Sequence, residues 1–323
     1  MRKWPSFIIR ITVSLALIMV LLYIMRGKYG QIINVLKGAR LPVFGIAFAV
    51  FTLATATASA RLKLIIEAQD ISITFMEAFS LTFIGYFFNN FLPTAIGGDV
   101  AKAYYLGRKS LNTTGSYTSV FVDRAVGLIT MVFMAFVALL FFRGSLVDDT
   151  VRYSIFAITA IAVLGIVFMA NKGFARRFSV LLCLVKPLEE KLVKVYHAVN
   201  QYRHHWLLML KTLLISVVSQ LCFFTFYGIL ALSIGSRIAP VDVLMRMPIV
   251  SMMSLLPSIN GLGVREGATV VFFGPLIGNE KAFAVSILAL SALLITSLIG
   301  GIIYALSPQF KVKFKEMEKG ELA

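Results

Sequence analysis

The amino-acid sequence predicts an all-α polytopic membrane protein with six full transmembrane helices and two Pro/Gly-broken re-entrant hairpins, and three observations carry that prediction. Hydrophobic residues make up 59% of the chain and charged residues 14%, against roughly 45–50% and about 25% in soluble domains. The apolar residues are gathered into runs, several of them near the length of about 20 residues that a bilayer crossing needs. Two further runs are broken by proline and glycine and carry polar residues in their middles. The chain of 323 residues is therefore expected to form a single integral membrane domain, with short loops and no sizeable soluble part.

The first run follows MRKWPSFIIR and continues to Met25. It has the basic and apolar parts of a signal peptide but ends in Arg26, Gly27 and Lys28 rather than a small-residue cleavage site, so it reads as a retained span over 7–25. Further spans are expected at 42–60, 125–142, 153–170, 206–234 and 282–305, each long enough at about 1.5 Å per residue for about 30 Å of hydrocarbon. The interrupted runs, 71–91 and 247–277, are not ordinary spans.

The formal net charge is +16. Its Lys and Arg residues sit in the gaps between apolar runs and not along one polar face, which excludes nucleic acid as the partner and fits a positive-inside membrane protein near anionic lipid. The segment 171–205, with Lys172, Arg176, Arg177, Lys186, Lys191, Lys194 and Arg203, is the strongest cytoplasmic candidate. Counting outward from it places both termini, the tail 306–323 and the gaps holding Arg61 and Lys63, and Lys102, Arg108 and Lys109, on the cytoplasmic side of the cell membrane (the inner membrane, where there are two). Residues 26–41 carry four basic residues and fall outside; an amphipathic surface helix would account for them.

For this count to close, the stretches near 93 and near 257 must each enter and leave on one side. The first half, 7–142, then has three spans and a cytoplasmic hairpin, and the second half, 153–305, three spans and an external one. An odd number of crossings inverts the second half. The tips NNFLPTAIGGD (89–99) and LLPSINGLGVRE (255–266) both set Leu-Pro four residues before a Gly-rich turn. Matched breaks of this kind point to an inverted-repeat transporter with its site between the halves; hairpins of purely architectural use fit the spacing equally well.

Arg265 and Glu266 are the charges hardest to explain as scaffold, since each costs about 2.5–3.5 kcal/mol at mid-bilayer. Behind Gly261 and Gly263, whose small size lets backbone N–H groups approach a ligand, Arg265 can grip a phosphate while Glu266 orients it. The competing reading is a pair that ties the hairpin to a neighbouring helix. In the first half, Asn89 and Asn90 are amides at membrane depth that need partners. Gly97 and Gly98 are expected to make the turn and Asp99 to cap the following helix. Asp123 and Arg124 read as the first turn of the span 125–142, with Arg124 snorkelling, and snorkelling also covers Arg10, Glu77 and Lys211.

No GxSxG, HExxH or Walker A sequence occurs. The two cysteines, Cys183 and Cys222, form no CxxC, and the three histidines share the basic segment. No metal, cofactor or catalytic residue is indicated, and the chain is expected not to be an enzyme in its own right.

The motifs NNFLPTAIGGDVAKAYYL, FVDRAVGL and LPSINGLGVREGA, in this order and spacing, resemble the lysylphosphatidylglycerol synthase transmembrane-region family of flippase-like membrane proteins over nearly the whole chain. The resemblance implies a protein that moves or handles a lipid, with Asn90, Pro93, Gly98, Asp99, Asp123, Arg124, Gly261, Gly263, Arg265 and Glu266 as candidate substrate-binding residues by motif position. Lys102 stands where many members carry Arg. The larger synthases add a soluble aminoacyl-transferase domain, and since the sequence here closes on KVKFKEMEKGELA, lipid lysylation by the chain itself is not expected. The main expectation is a flippase-like transporter of an anionic lipid or lipid-linked intermediate. The alternatives are a membrane subunit or enzyme of lipid or polyprenyl-phosphate modification, working with a cytoplasmic transferase, and a scaffold recruiting partners through 171–205.

Overall fold

The computed structural model describes residues 26–91, 97–141, 149–170, 206–256 and 260–307, together with Met19, Tyr23, Ser258 and Phe310. Nearly all of the expected first span, the basic segment 171–205, most of the tail and Pro93 lie outside the described residues. Ten helices make up the described chain: α1 (Tyr29–Lys37), α2 (Leu41–Glu67), α3 (Phe75–Phe91), α4 (Gly97–Ser110), α5 (Thr113–Phe141), α6 (Asp149–Ala170), α7 (Trp206–Ser233), α8 (Pro240–Met253), α9 (Val264–Ile277) and α10 (Asn279–Leu306). The protein is an all-helical, multi-pass membrane protein. Four stretches, Leu41–Glu67, Thr113–Leu140, Leu207–Ser233 and Asn279–Leu306, are long and apolar enough to cross a bilayer.

At the centre α2 and α7 run antiparallel. The Arg40 N–H donates to the Ser233 carbonyl (2.9 Å), the Ser219 hydroxyl to the Ala54 carbonyl (3.0 Å), and Arg61 Nη1 to Ser216 Oγ (2.8 Å). Ala47, Ala54 and Ser59 are buried on α2, and small residues of this kind let helices approach closely in lipid, where packing rather than water exclusion drives association.

The four helices α3, α4, α8 and α9 are short. At about 1.5 Å per residue they reach roughly 21–25 Å, less than the hydrocarbon thickness of about 30 Å. They pair as two antiparallel hairpins. In the first, Asn89 Oδ1 accepts the Gly98 N–H (2.8 Å) near the tip, and Glu77 takes Lys109 Nζ (2.7 Å) at the open end. In the second, Gly261 lies against Ser254 at the tip, and Arg246 Nη1 donates to the Phe272 carbonyl (2.8 Å) further down. The first hairpin packs on α5 through α4 and on α10 through α3; the second packs on α10 through α9 and on α5 through α8. Exchanging α2 with α7, α3 with α8, α4 with α9 and α5 with α10 thus carries one set of contacts onto the other.

Several expectations need correction. Arg61 and Lys63 are not in a gap: α2 continues to Glu67, with Lys63 paired outward to Glu67 (2.7 Å) and Arg61 buried. Asp123 and Arg124 do not begin a helix, because α5 starts at Thr113 and places them about three turns inside. Gly97 and Gly98 make no turn; they open α4, so Asp99 sits in its first turn rather than at its cap. Glu77 does not snorkel alone, since it also closes a capping box with Thr74 (Thr74 N–H to Glu77, 2.9 Å; Glu77 N–H to Thr74, 3.2 Å). The expected amphipathic helix in 26–41 is α1; Ile32 and Leu36 pack with Val270, Phe283 and Ile287, and Lys28 pairs with Glu280.

Close approach explains Gly98 and Gly300. A Cβ on Gly98 would run into the backbone of Gly85 in α3, and one on Gly300 into the backbone of Phe83. Gly98→Ala and Gly300→Ala are each expected to lower stability by about 1–3 kcal/mol, read as an earlier unfolding midpoint in an SDS titration of the purified protein.

Candidate functional site

The helices enclose a cavity of about 400 Å³ between α2, α5, α7, α8 and α10, with both hairpin tips at its wall. Arg61, Arg124 and Arg265 line it, together with Asn89, Ser219, Gln220 and Asn260, and none of its described lining residues is acidic. Much of the remaining wall is apolar or aromatic, including Phe51, Met131, Phe223, Phe226 and Met247.

Each arginine is held by a carboxylate that does not itself line the cavity. Arg61 Nε donates to Asp123 (2.7 Å), Arg124 pairs with Asp99, and Arg265 donates through Nε (3.1 Å) and Nη2 (2.7 Å) to one Glu266 oxygen. In a medium of low dielectric an unpaired guanidinium would be prohibitive, and pairing is what permits three of them here. The pairing is incomplete. A guanidinium has five N–H donors, and among the described residues neither Arg61 Nη2 nor Arg265 Nη1 has a hydrogen-bond partner.

The local sequence builds these positions in different ways. Asn260, Gly261 and Gly263 have φ of 49°, 76° and 84°, a region open to glycine and tolerated by asparagine, so the chain reverses there and starts α9 at Val264. Glu266 Oε2 accepts the Gly263 N–H (2.6 Å), which satisfies the helix start and fixes the carboxylate that holds Arg265. Gly263 thus donates within the hairpin, and a Cβ on Gly261 would crowd Ser254. Asn90 accepts from Asn260 Nδ2, a direct bridge between the two tips. Gly127 of the FVDRAVGL motif leaves room for Arg61: a Cβ there would stand 3.2 Å from Nη1 and 3.3 Å from Nη2.

Of the sequence candidates, Arg124 and Arg265 reach the cavity, Asp99, Asp123 and Glu266 hold arginines, Asn90 joins the tips, and Gly98, Gly261 and Gly263 shape the hairpins. Pro93 lies outside the described residues. Sequence reasoning missed Arg61, Asn260 and Arg246. Ala54, Ala58, Arg61 and Ile65 recur at helical spacing on the inward face of α2, a period that would have turned Arg61 inward. Arg246, 3% exposed, has Asp242 one turn before it (3.4 Å), as an i,i+4 pair would suggest.

The family described as Lysylphosphatidylglycerol synthase TM region matches residues 7–301. A UPF0104 membrane protein of Pyrococcus horikoshii is 26% identical over 94% of this chain and 96% of its own length. One from Methanocaldococcus jannaschii is 32% identical over 44% of each chain. No solved structure matches.

Removing one partner of a buried pair strands the other charge. Arg61→Ala is expected to lose about 3–5 kcal/mol, and adding Asp123→Asn to recover most of it, in a double-mutant cycle of SDS unfolding.

Proposed function

The chain belongs to the lysylphosphatidylglycerol synthase transmembrane-region family, and from that premise we propose that it is a flippase-like protein that binds and translocates an anionic lipid or lipid-linked intermediate. The observation that carries this reading is a central cavity with three arginines and no acid on its described wall. A structural ion pair needs neither a cavity nor a spare donor, and Arg265 has both. Phosphate oxygens accept from guanidinium in the geometry such donors offer. Pockets of about 300–1,000 Å³ hold ligands of drug size, so a volume of about 400 Å³ suits a head group whose acyl tails stay in the bilayer.

In this reading α3–α4 and α8–α9 are re-entrant hairpins in two inverted halves, which the exchange of contacts between the halves supports. Six full crossings, the first of them over 7–25, complete the topology, with both termini and 171–205 cytoplasmic. The basic residues around α1 fit an external position because α1 is braced on α10 through Lys28 and Glu280. A transferase at the cytoplasmic face would supply a modified head group. Rocking of one half against the other would separate the Asn90–Asn260 contact and expose the cavity to alternate leaflets.

In proteoliposomes the wild type is expected to speed transbilayer movement of labelled phosphatidylglycerol, and Arg265→Gln to lower that rate at least tenfold, about 1.4 kcal/mol or more. Equal rates in wild type, variant and empty vesicles would sink the reading.

A further inference from the structure

The cavity arginines stand at two levels. Arg61 contacts Ser216 of α7 and lies beside Gly127, whose carbonyl accepts from Gln220 Nε2 (3.2 Å); Arg124 adjoins Asp123, the partner of Arg61. Arg265 stands at another level: Val270 packs with Phe283 and Ile287, so α9 runs back along α10 and brings Arg265 beside Ala289 and Leu293, which line the cavity with it. Ser59, two residues before Arg61, instead donates to Thr82 (2.9 Å) next to Phe83, whose backbone meets Gly300, roughly 10 Å further along α10. Between the levels the wall is aromatic: Phe223 stands between Gln220 and Tyr227, and Phe51 meets it and Phe226 with ring centroids 6.5 Å and 5.0 Å away. Charge-assisted contacts are about 2.7–2.9 Å long, too short for one phosphate to serve both levels.

We propose that Arg61, with Arg124, forms a second phosphate-binding station separate from Arg265, so that a phospholipid head group passes between two guanidinium sites across an aromatic collar. This rests on the reading of the cavity as a lipid head-group site. Arg61 meets the chemical requirement by itself: it is 6% exposed, lines the cavity, is locked by Asp123 and Ser216, and keeps Nη2 without a protein partner among the described residues. Gly127 preserves the space beside that nitrogen. Two stations lower the barrier for moving a charged group through hydrocarbon, because each step covers only part of the path.

The test is calorimetric titration of the detergent-purified full chain with short-chain phosphatidylglycerol, with short-chain phosphatidylcholine and inorganic phosphate as separate arms. Two sites are expected in the wild type, one in Arg265→Gln, and one in the Arg61→Gln/Asp123→Asn double variant, which removes both charges together and leaves neither stranded. Should that variant fail to fold, Gly127→Ala, which presses on the guanidinium without changing charge, is expected to weaken one site roughly tenfold and spare the other. A single wild-type site lost in Arg265→Gln and intact in the Arg61 and Gly127 variants overturns the second station and leaves the proposed function standing. A single site lost in either arginine variant overturns it too, as one phosphate would then bridge both levels. Inorganic phosphate filling both sites as tightly as phosphatidylglycerol supports the stations and removes the lipid; no binding of phosphatidylglycerol at all removes both proposals.

Discussion

Guanidinium groups inside hydrocarbon have to be paired, and the architecture of this protein follows from meeting that requirement without using up every donor. Arg61, Arg124 and Arg265 come from α2, α5 and the start of α9, and their carboxylates from α5, α4 and α9. Two of the three pairs therefore bind one helix to another, and the third is internal to a hairpin tip. A carboxylate behind each arginine offsets the penalty of burial, and Arg61 Nη2 and Arg265 Nη1 are left without a hydrogen-bond partner among the described residues. Replacing the pairs by apolar side chains would suit a passive bundle as well or better.

The hairpins meet a second requirement, the satisfaction of backbone donors where helices start inside the bundle. Each uses a side chain for this. Asn89 accepts the Gly98 N–H at the start of α4, and Glu266 accepts the Gly263 N–H at the start of α9. The second arrangement also holds Arg265, so one residue completes the backbone and orients a cation of the cavity wall. Glycine serves two distinct purposes at these tips. At Gly261 and Gly263 it allows positive φ, whereas at Gly98 it allows contact with the Gly85 backbone.

Much of the fold was legible because apolar runs of spanning length have few other uses. The helices α7 and α10 begin and end within three residues or so of the expected spans, and α1 appeared where a basic, amphipathic stretch had been expected. Boundaries are least legible where polar residues interrupt an apolar run. Arg61 and the Asp123-Arg124 pair look like membrane-edge charges, the commonest place for them, yet inside the bundle Arg61 meets Asp123 and Arg124 meets Asp99. The cavity is illegible for a related reason, since a site made of α2, α5, α7, α10 and two hairpins has no sequence motif of its own.

The sequence by itself determined the membrane class, the helical runs, the broken stretches and the family motifs, because hydrophobic length, proline and glycine act locally. Only the tertiary structure decided which charges meet. Arg61 finds Asp123 across 62 positions and Asn90 finds Asn260 across 170, distances along the chain over which periodicity carries no information. A buried charge declares in sequence that it needs a partner; the packing of helices chooses the partner and leaves the cavity beside it.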